Sequence, residues 1–107
     1  CAAFGYVNAS WTLRSDLICG YVCRLLNHME ESNTKQCTPR KRPGDAAMIL
    51  SSFVGDFTPG YLLRINDEFP KQGDREPWLN PQDYTLDKKR LGRSPVADGV
   101  MQFSSPP

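Results

Sequence analysis

The sequence has no glycine-rich phosphate loop. Its glycines stand at positions 5, 20, 44, 55, 60, 73, 92 and 99, and no two are separated by a single residue. Neither G-x-G-x-x-G nor G-x-x-x-x-G-K-[ST] can therefore be read in it, so this stretch carries no loop of its own for a dinucleotide or a nucleoside triphosphate. G-x-S-x-G is missing too, which excludes a nucleophile elbow. His28 is the only histidine, near the polar end of a helical pattern and without an evident triad partner; a surface or helix C-terminal role suits it. The carboxylates are scattered, with no pair placed for general acid–base work. No apolar run approaches the roughly 18 residues that would span a bilayer, and nothing pairs a basic segment with an apolar one as in a secretory leader. An excess of charge is lacking as well: 13 Lys and Arg against 12 Asp and Glu give +1, which speaks for neither nucleic acid nor an anionic membrane as partner.

What is present suits one small domain at most. A chain of 107 residues buries roughly two-thirds of its unfolded surface, and nine prolines with eight glycines predict short elements joined by long loops. Residues 2–7 (Ala-Ala-Phe-Gly-Tyr-Val) are apolar throughout, as in a strand covered on both faces, and such an opening is expected to continue a longer chain. Asn8-Ala9-Ser10 makes a turn in which Ser10 or Asn8 can cap the next element. Leu13, Leu17, Tyr21, Leu25 and Met29 then recur every four residues, widened by Ile18, Val22 and Leu26, which predicts an amphipathic helix over 11–30, stopped by Ser32-Asn33-Thr34. Residues 34–45, polar and basic, read as a solvated connector. Residues 46–57 fit a short helix or a strand. Thr58-Pro59 and Asn80-Pro81 each look like a cap followed by proline at the first helical position, and Asp83 falls third in the second of these. Leu62, Ile65 and Phe69 suit a short helix ending before Pro70; Lys71-Gln72-Gly73 suits a turn; Tyr84, Leu86 and Leu91 suit a helix closed by Gly92. Val100 to Phe103 can add a terminal strand.

The four cysteines are Cys1, Cys19, Cys23 and Cys37. Cys19 and Cys23 stack on one helix face and are expected to be reduced, buried and structural, as in a cytosolic protein. The competing reading is a zinc site, since Cys19, Cys23, His28 and Cys37 come in order, but the first pair sits in a continuous helix rather than across a tight turn.

The feature with most chemical content is the turn where the strand feeds the helix. A helix N-terminus presents unpaired N–H groups and about half a positive charge, and in α/β sheets cofactors lie at this carboxyl end of a strand. The plainer reading is an ordinary capped helix with Trp11 in the core.

The wording of the chain adds to its pattern. Gly5-Tyr6-Val7-Asn8-Ala9-Ser10-Trp11-Thr12-Leu13, Asp16-Leu17, Val22-Cys23-Arg24-Leu25-Leu26-Asn27, Phe57-Thr58-Pro59-Gly60-Tyr61, Leu63-Arg64, Pro70-Lys71-Gln72-Gly73, Arg75, Pro77-Trp78 and the stretch from Asp98-Gly99 to Phe103 resemble the C-terminal region of class B flavoprotein monooxygenases of the Baeyer–Villiger type, the mycobacterial members and their bacterial relatives above all. The likeness covers nearly the whole chain, with a divergent patch over 32–56.

The resemblance implies an α/β fragment: the last strand and long helix of an FAD-binding Rossmann-type domain, followed by short helices and loops. Residues 1–31 would complete that domain, 32–56 would be a variable connector, and 57–107 a C-terminal extension. It implies that Asn8, Ala9, Ser10, Trp11 and Thr12 lie beside the FAD, with NADPH as the reductant, and that ketones or organosulfur compounds are oxygenated through a C4a-peroxyflavin. The family's glycine fingerprints, signature motif and peroxyflavin-supporting arginine lie outside this stretch, so no catalytic residue carries over and the chain alone is expected to be inactive. Its partners would be the N-terminal FAD and NADPH domains and a small-molecule substrate, with no transmembrane segment, in the cytoplasm or peripherally on a membrane. The rival readings are a truncated, non-catalytic packing module and a small zinc-binding module. The role of the block from Pro70 to Trp78 stays open.

Overall fold

The computed structural model describes residues 5–6, 9–53, 60–65 and 67–106, except the side chain of residue 62. These form a small α/β arrangement: α1 (Trp11–Glu31), β1 (Gln36–Pro39), a 3-10 turn (Pro43–Asp45), β2 (Ser51–Ser52), α2 (Gly60–Arg64), β3 (Lys71–Gln72), α3 (Tyr84–Gly92) and β4 (Met101–Ser104). They fall into two compact units. One comprises Cys1–Arg42 with Gln82–Pro107, and the other Pro43–Pro81.

In the first unit α1 runs unbroken through Gly20, as its apolar spacing predicts. Its exit follows the Schellman pattern. Asn33 takes φ 52°, its N–H donates to Glu30 O at 3.1 Å, and the Thr34 N–H donates to Met29 O at 2.9 Å. Two orphan carbonyls are thereby satisfied, which is how Ser32-Asn33-Thr34 ends the helix. The inward face carries Leu17, Ile18, Tyr21, Leu25, His28 and Met29, all half-buried, and none of the helix's residues is fully buried. The other half of the apolar stripe is uncovered: Trp11, Val22 and Leu26 are 54%, 41% and 57% exposed. Cys19 and Cys23 are on this open side, free and exposed, so the expectation that they are buried fails. Residues one position on from the inward row stand 100° round the helix, and four-residue spacing alone does not say which side of a wide stripe is packed.

α3 packs on α1. Arg14 of α1 meets Asp87, and ten residues further along Arg24 donates from Nη1 to Leu91 O at 2.6 Å and from Nη2 to Ser94 O. A guanidinium thus closes carbonyls at the end of α3, where the helix dipole favours a cation. β1 and β4 pair antiparallel, with Cys37 opposite Phe103. Met101 and Phe103 alternate inward, and the Phe103 ring lies 4.6 Å from that of His28. Among the described residues of this unit, Tyr6, Val96 and Val100 are the buried apolar ones.

Four local expectations change. Gln36–Pro39 is a strand and not a solvated connector, because its partner arrives from the far end of the sequence. α3 begins at Tyr84 and not after Asn80-Pro81: Gln82 takes φ 53°, outside the helical region, and Asp83 is the N-cap, its Oδ1 accepting from the Leu86 N–H at 3.0 Å. Lys71-Gln72 is a strand, paired antiparallel with Ser51–Ser52 in the ambiguous stretch 46–57, and α2 ends at Arg64, short of Phe69. Of the expected first strand, residues 2–7, only Gly5 and Tyr6 are described, and neither belongs to a strand. The Thr58-Pro59 cap lies outside the described residues.

The second unit is held by polar groups. Buried Gln72 donates from Nε2 to Ser52 O at 2.8 Å and accepts at Oε1 from the Asn80 N–H, also at 2.8 Å; the Asn80 amide donates to Phe53 O at 3.0 Å. Asp45, 2% exposed, accepts from Trp78 Nε1 at 3.1 Å. A Cβ at Gly73 would land on Met48 Sδ and 2.9 Å from Trp78 Cβ, so glycine lets the chain close over both side chains. The block from Pro70 to Trp78 therefore builds this unit's core.

Gly20 has open space where a Cβ would sit. Replacing it with Ala should raise stability by about 1 kcal/mol, read from urea unfolding, because an exposed helix interior favours Ala over Gly by that much. A loss of stability would contradict a continuous helix.

Candidate functional site

The turn before α1 is described from Ala9 onward; Asn8 lies outside the described residues. Ala9, Ser10, Trp11 and Thr12 are all exposed. Ser10 is the N-cap, with extended backbone (φ −65°, ψ 134°), but its hydroxyl makes no capping bond to the helix. It pairs instead with Thr12 Oγ1 at 2.7 Å. Capping serines usually take one of the first-turn N–H groups. Here the Ser10 side chain does not, and the Leu13 N–H turns back to Ser10 O at 3.2 Å. The start of α1 is thus an exposed, positively polarised end with its cap hydroxyl turned aside, which can receive an anionic or carbonyl-rich ligand. Trp11, 54% exposed, stands over Gly5 and is not in the core: a Cβ at Gly5 would lie 2.5 Å from Trp11 Cδ2 and 2.8 Å from its Cα. Glycine is needed there for the chain to fold back across the helix start.

Directly behind the turn is a cluster that the sequence did not reveal. Tyr6 is 1% exposed and donates its hydroxyl to Asp87 Oδ2 at 2.6 Å. Asp87 is 3% exposed; Arg14 Nε stands 3.8 Å from its Oδ2 and Arg90 Nη1 3.9 Å from its Oδ1. Arg14 also lies over the Tyr6 ring, 5.7 Å from its centroid, and Tyr84 meets that ring edge-on at 6.1 Å. Burial pushes ionisation of Tyr6 up, and the hydrogen bond to Asp87 pushes it further, since a carboxylate opposes a neighbouring phenolate. The sole sequence signal was a buried-looking Tyr next to Gly5; nothing linked it to a helix 81 residues away.

Among the described residues no three His, Cys, Asp or Glu side chains gather as metal ligands, so the order Cys19, Cys23, His28, Cys37 gains no support as a zinc set. Among the same residues no helix is long and apolar enough to cross a membrane.

Known proteins resemble this chain over nearly its whole length. The FAD-containing monooxygenase EthA of Mycobacterium tuberculosis is 43% identical over 103 residues, which is 96% of this chain and 20% of that protein. EthA of Mycolicibacterium smegmatis is 40% identical over 101 residues, 94% of this chain and 20% of that protein. The chain is similar to a C-terminal segment of FAD-containing monooxygenases. AlmA of Acinetobacter baylyi is a further relative, 39% identical over 100 residues, again with 20% of its length matched. The chain spans about a fifth of the length of these monooxygenases and matches them as part of an enzyme. No family model and no solved structure matches.

The Tyr6 phenol makes the first unit sensitive to alkali. A folded-state value raised above the ordinary tyrosine value of about 10 contributes stability that is complete below pH 10 and lost as pH rises through the raised value. Urea unfolding followed from pH 8 to 12 should show this decline. Tyr6→Phe should flatten it, while costing about 1–3 kcal/mol at neutral pH through the lost bond to a buried carboxylate.

Proposed function

We propose that this chain is the C-terminal part of an FAD- and NADPH-dependent monooxygenase of the Baeyer–Villiger type, acting on ketones or organosulfur compounds. The observation that carries the reading is the 43% identity with an FAD-containing monooxygenase over nearly the whole chain. The helix start fits it: an exposed N-terminus whose capping hydroxyl is directed elsewhere suits the pyrimidine edge of an isoalloxazine, which gathers negative charge on reduction. In this reading residues 1–31 give the last strand and long helix of a Rossmann-type FAD domain, 32–56 connect, and 57–107 form a C-terminal extension.

FAD, when bound, supplies the electron transfer and the activation of oxygen. This chain's residues bind, orient and shield. Backbone N–H groups in the turn from Asn8 to Thr12 would favour negative charge on a bound flavin without reorganising, and a single preorganised donor of this kind is typically worth a few kcal/mol. Trp11, exposed in the chain itself, would shield a flavin bound there from water. The chain by itself has no loop for a pyrophosphate and is inactive.

Two experiments test this. In the complete polypeptide, Ala9→Pro or Ser10→Pro removes an N–H and disturbs the turn; flavin reduction by NADPH should slow at least tenfold, the effect of about 1.4 kcal/mol, and FAD retention should fall. Trp11→Ala should instead divert NADPH oxidation to hydrogen peroxide, measured beside oxygenated product. Full coupling in Trp11→Ala together with unchanged reduction in the proline variants would remove the turn from the flavin. Separately, flavin fluorescence titration of the 107-residue chain should show no saturable binding at micromolar FAD.

A further inference from the structure

The Ser10 hydroxyl makes no capping bond to α1. The far end of the sequence holds the turn on both sides. On the entering side, Gln82 Nε2 donates to Gly5 O at 3.1 Å and the Tyr6 hydroxyl donates to Asp87 at 2.6 Å. On the leaving side, Arg14 pairs with the same Asp87 oxygen at 3.8 Å. Between these anchors Gly5 is pressed against Trp11. One carboxylate on α3, 3% exposed, therefore fixes the residue before the turn and a residue of the helix after it. A buried carboxylate between a phenol and two guanidinium groups has little freedom to move, because leaving would cost the phenol its hydrogen bond and the guanidinium groups a nearby opposite charge in a poorly solvated place.

We propose that Asp87 is a positioning residue for the flavin-facing turn: α3, through Asp87 and Tyr6, sets where the first N–H groups of α1 point. The inference rests on the reading that this turn faces FAD. It gives α3 a role in cofactor chemistry. Loosening Asp87 lets the helix start drift from the place where negative charge appears on reduction, which weakens FAD binding and makes the flavin harder to reduce.

The test uses the complete, flavin-loaded polypeptide with three variants. Asp87→Asn keeps the shape and removes the charge; Tyr6→Phe removes one hydroxyl and remains informative if the first variant fails to fold. Arg24→Gln is the control, because Arg24 ties α1 to the other end of α3 through Leu91 and Ser94. FAD affinity, the flavin midpoint potential and thermal stability are measured for each. Asp87→Asn and Tyr6→Phe should weaken FAD binding about tenfold, the scale of one lost bond to a charged group, and shift the potential to more negative values. Arg24→Gln should lower stability while leaving affinity and potential as in the parent. Equal changes in all three would make Asp87 a general structural contact and overturn the proposal. Unchanged affinity and potential in Asp87→Asn and Tyr6→Phe, alongside a weakened Ser10→Pro, would overturn the positioning role alone. Unchanged FAD binding in Ser10→Pro as well would remove both the role and the turn's contact with flavin.

Discussion

The first unit depends on a carboxylate that has left water. Asp87 is almost fully buried, and burying a charge costs several kcal/mol unless hydrogen bonds and opposite charges replace its hydration. Tyr6, Arg14 and Arg90 supply that replacement, and they come from the start of the sequence, from α1 and from α3 itself. Satisfying one group therefore obliges three segments to meet. At the other end of the same helix pair, Arg24 does the complementary work, meeting the carbonyls that α3 leaves open where it ends. With three buried apolar residues among those described in this unit, the register of α1 on α3 is set by these polar contacts more than by an apolar core.

The second unit obeys the same constraint with neutral groups. Gln72 and Asn80 answer each other and the carbonyls of Ser52 and Phe53, so two two-residue strands, too short to persist alone, are bound together by side-chain amides. Trp78 offers its indole N–H to buried Asp45 while its Cβ meets the space kept clear at Gly73. A sequence rich in proline and glycine, with short elements, has few backbone ladders to satisfy its buried polar atoms. Amide and carboxylate side chains do so instead.

The open side of α1 sets this chain apart from a self-sufficient domain. A 21-residue helix without a fully buried position, with Trp11, Val22, Leu26, Cys19 and Cys23 exposed along one side, presents an apolar surface of the kind that marks contact sites. The chain also spans only about a fifth of the length of the monooxygenases it resembles.

By itself the sequence determined what depends on neighbouring residues. The length of α1 followed from four-residue apolar spacing, its end from Ser32-Asn33-Thr34, and the likeness to flavoprotein monooxygenases from blocks spread over the chain. The short strand near Val100 to Phe103 was visible as well. Only the tertiary structure decided which half of the helix stripe is packed, that Gln36–Pro39 is a strand, that Asp83 and not Asn80 caps α3, and that Tyr6 and Asp87 meet. Each of these depends on partners some 60 to 80 residues apart, or on a single backbone angle such as that of Gln82. Local propensity carries no information about such pairings, because the free energy of a buried charge or a strand is fixed by whichever distant group arrives to satisfy it.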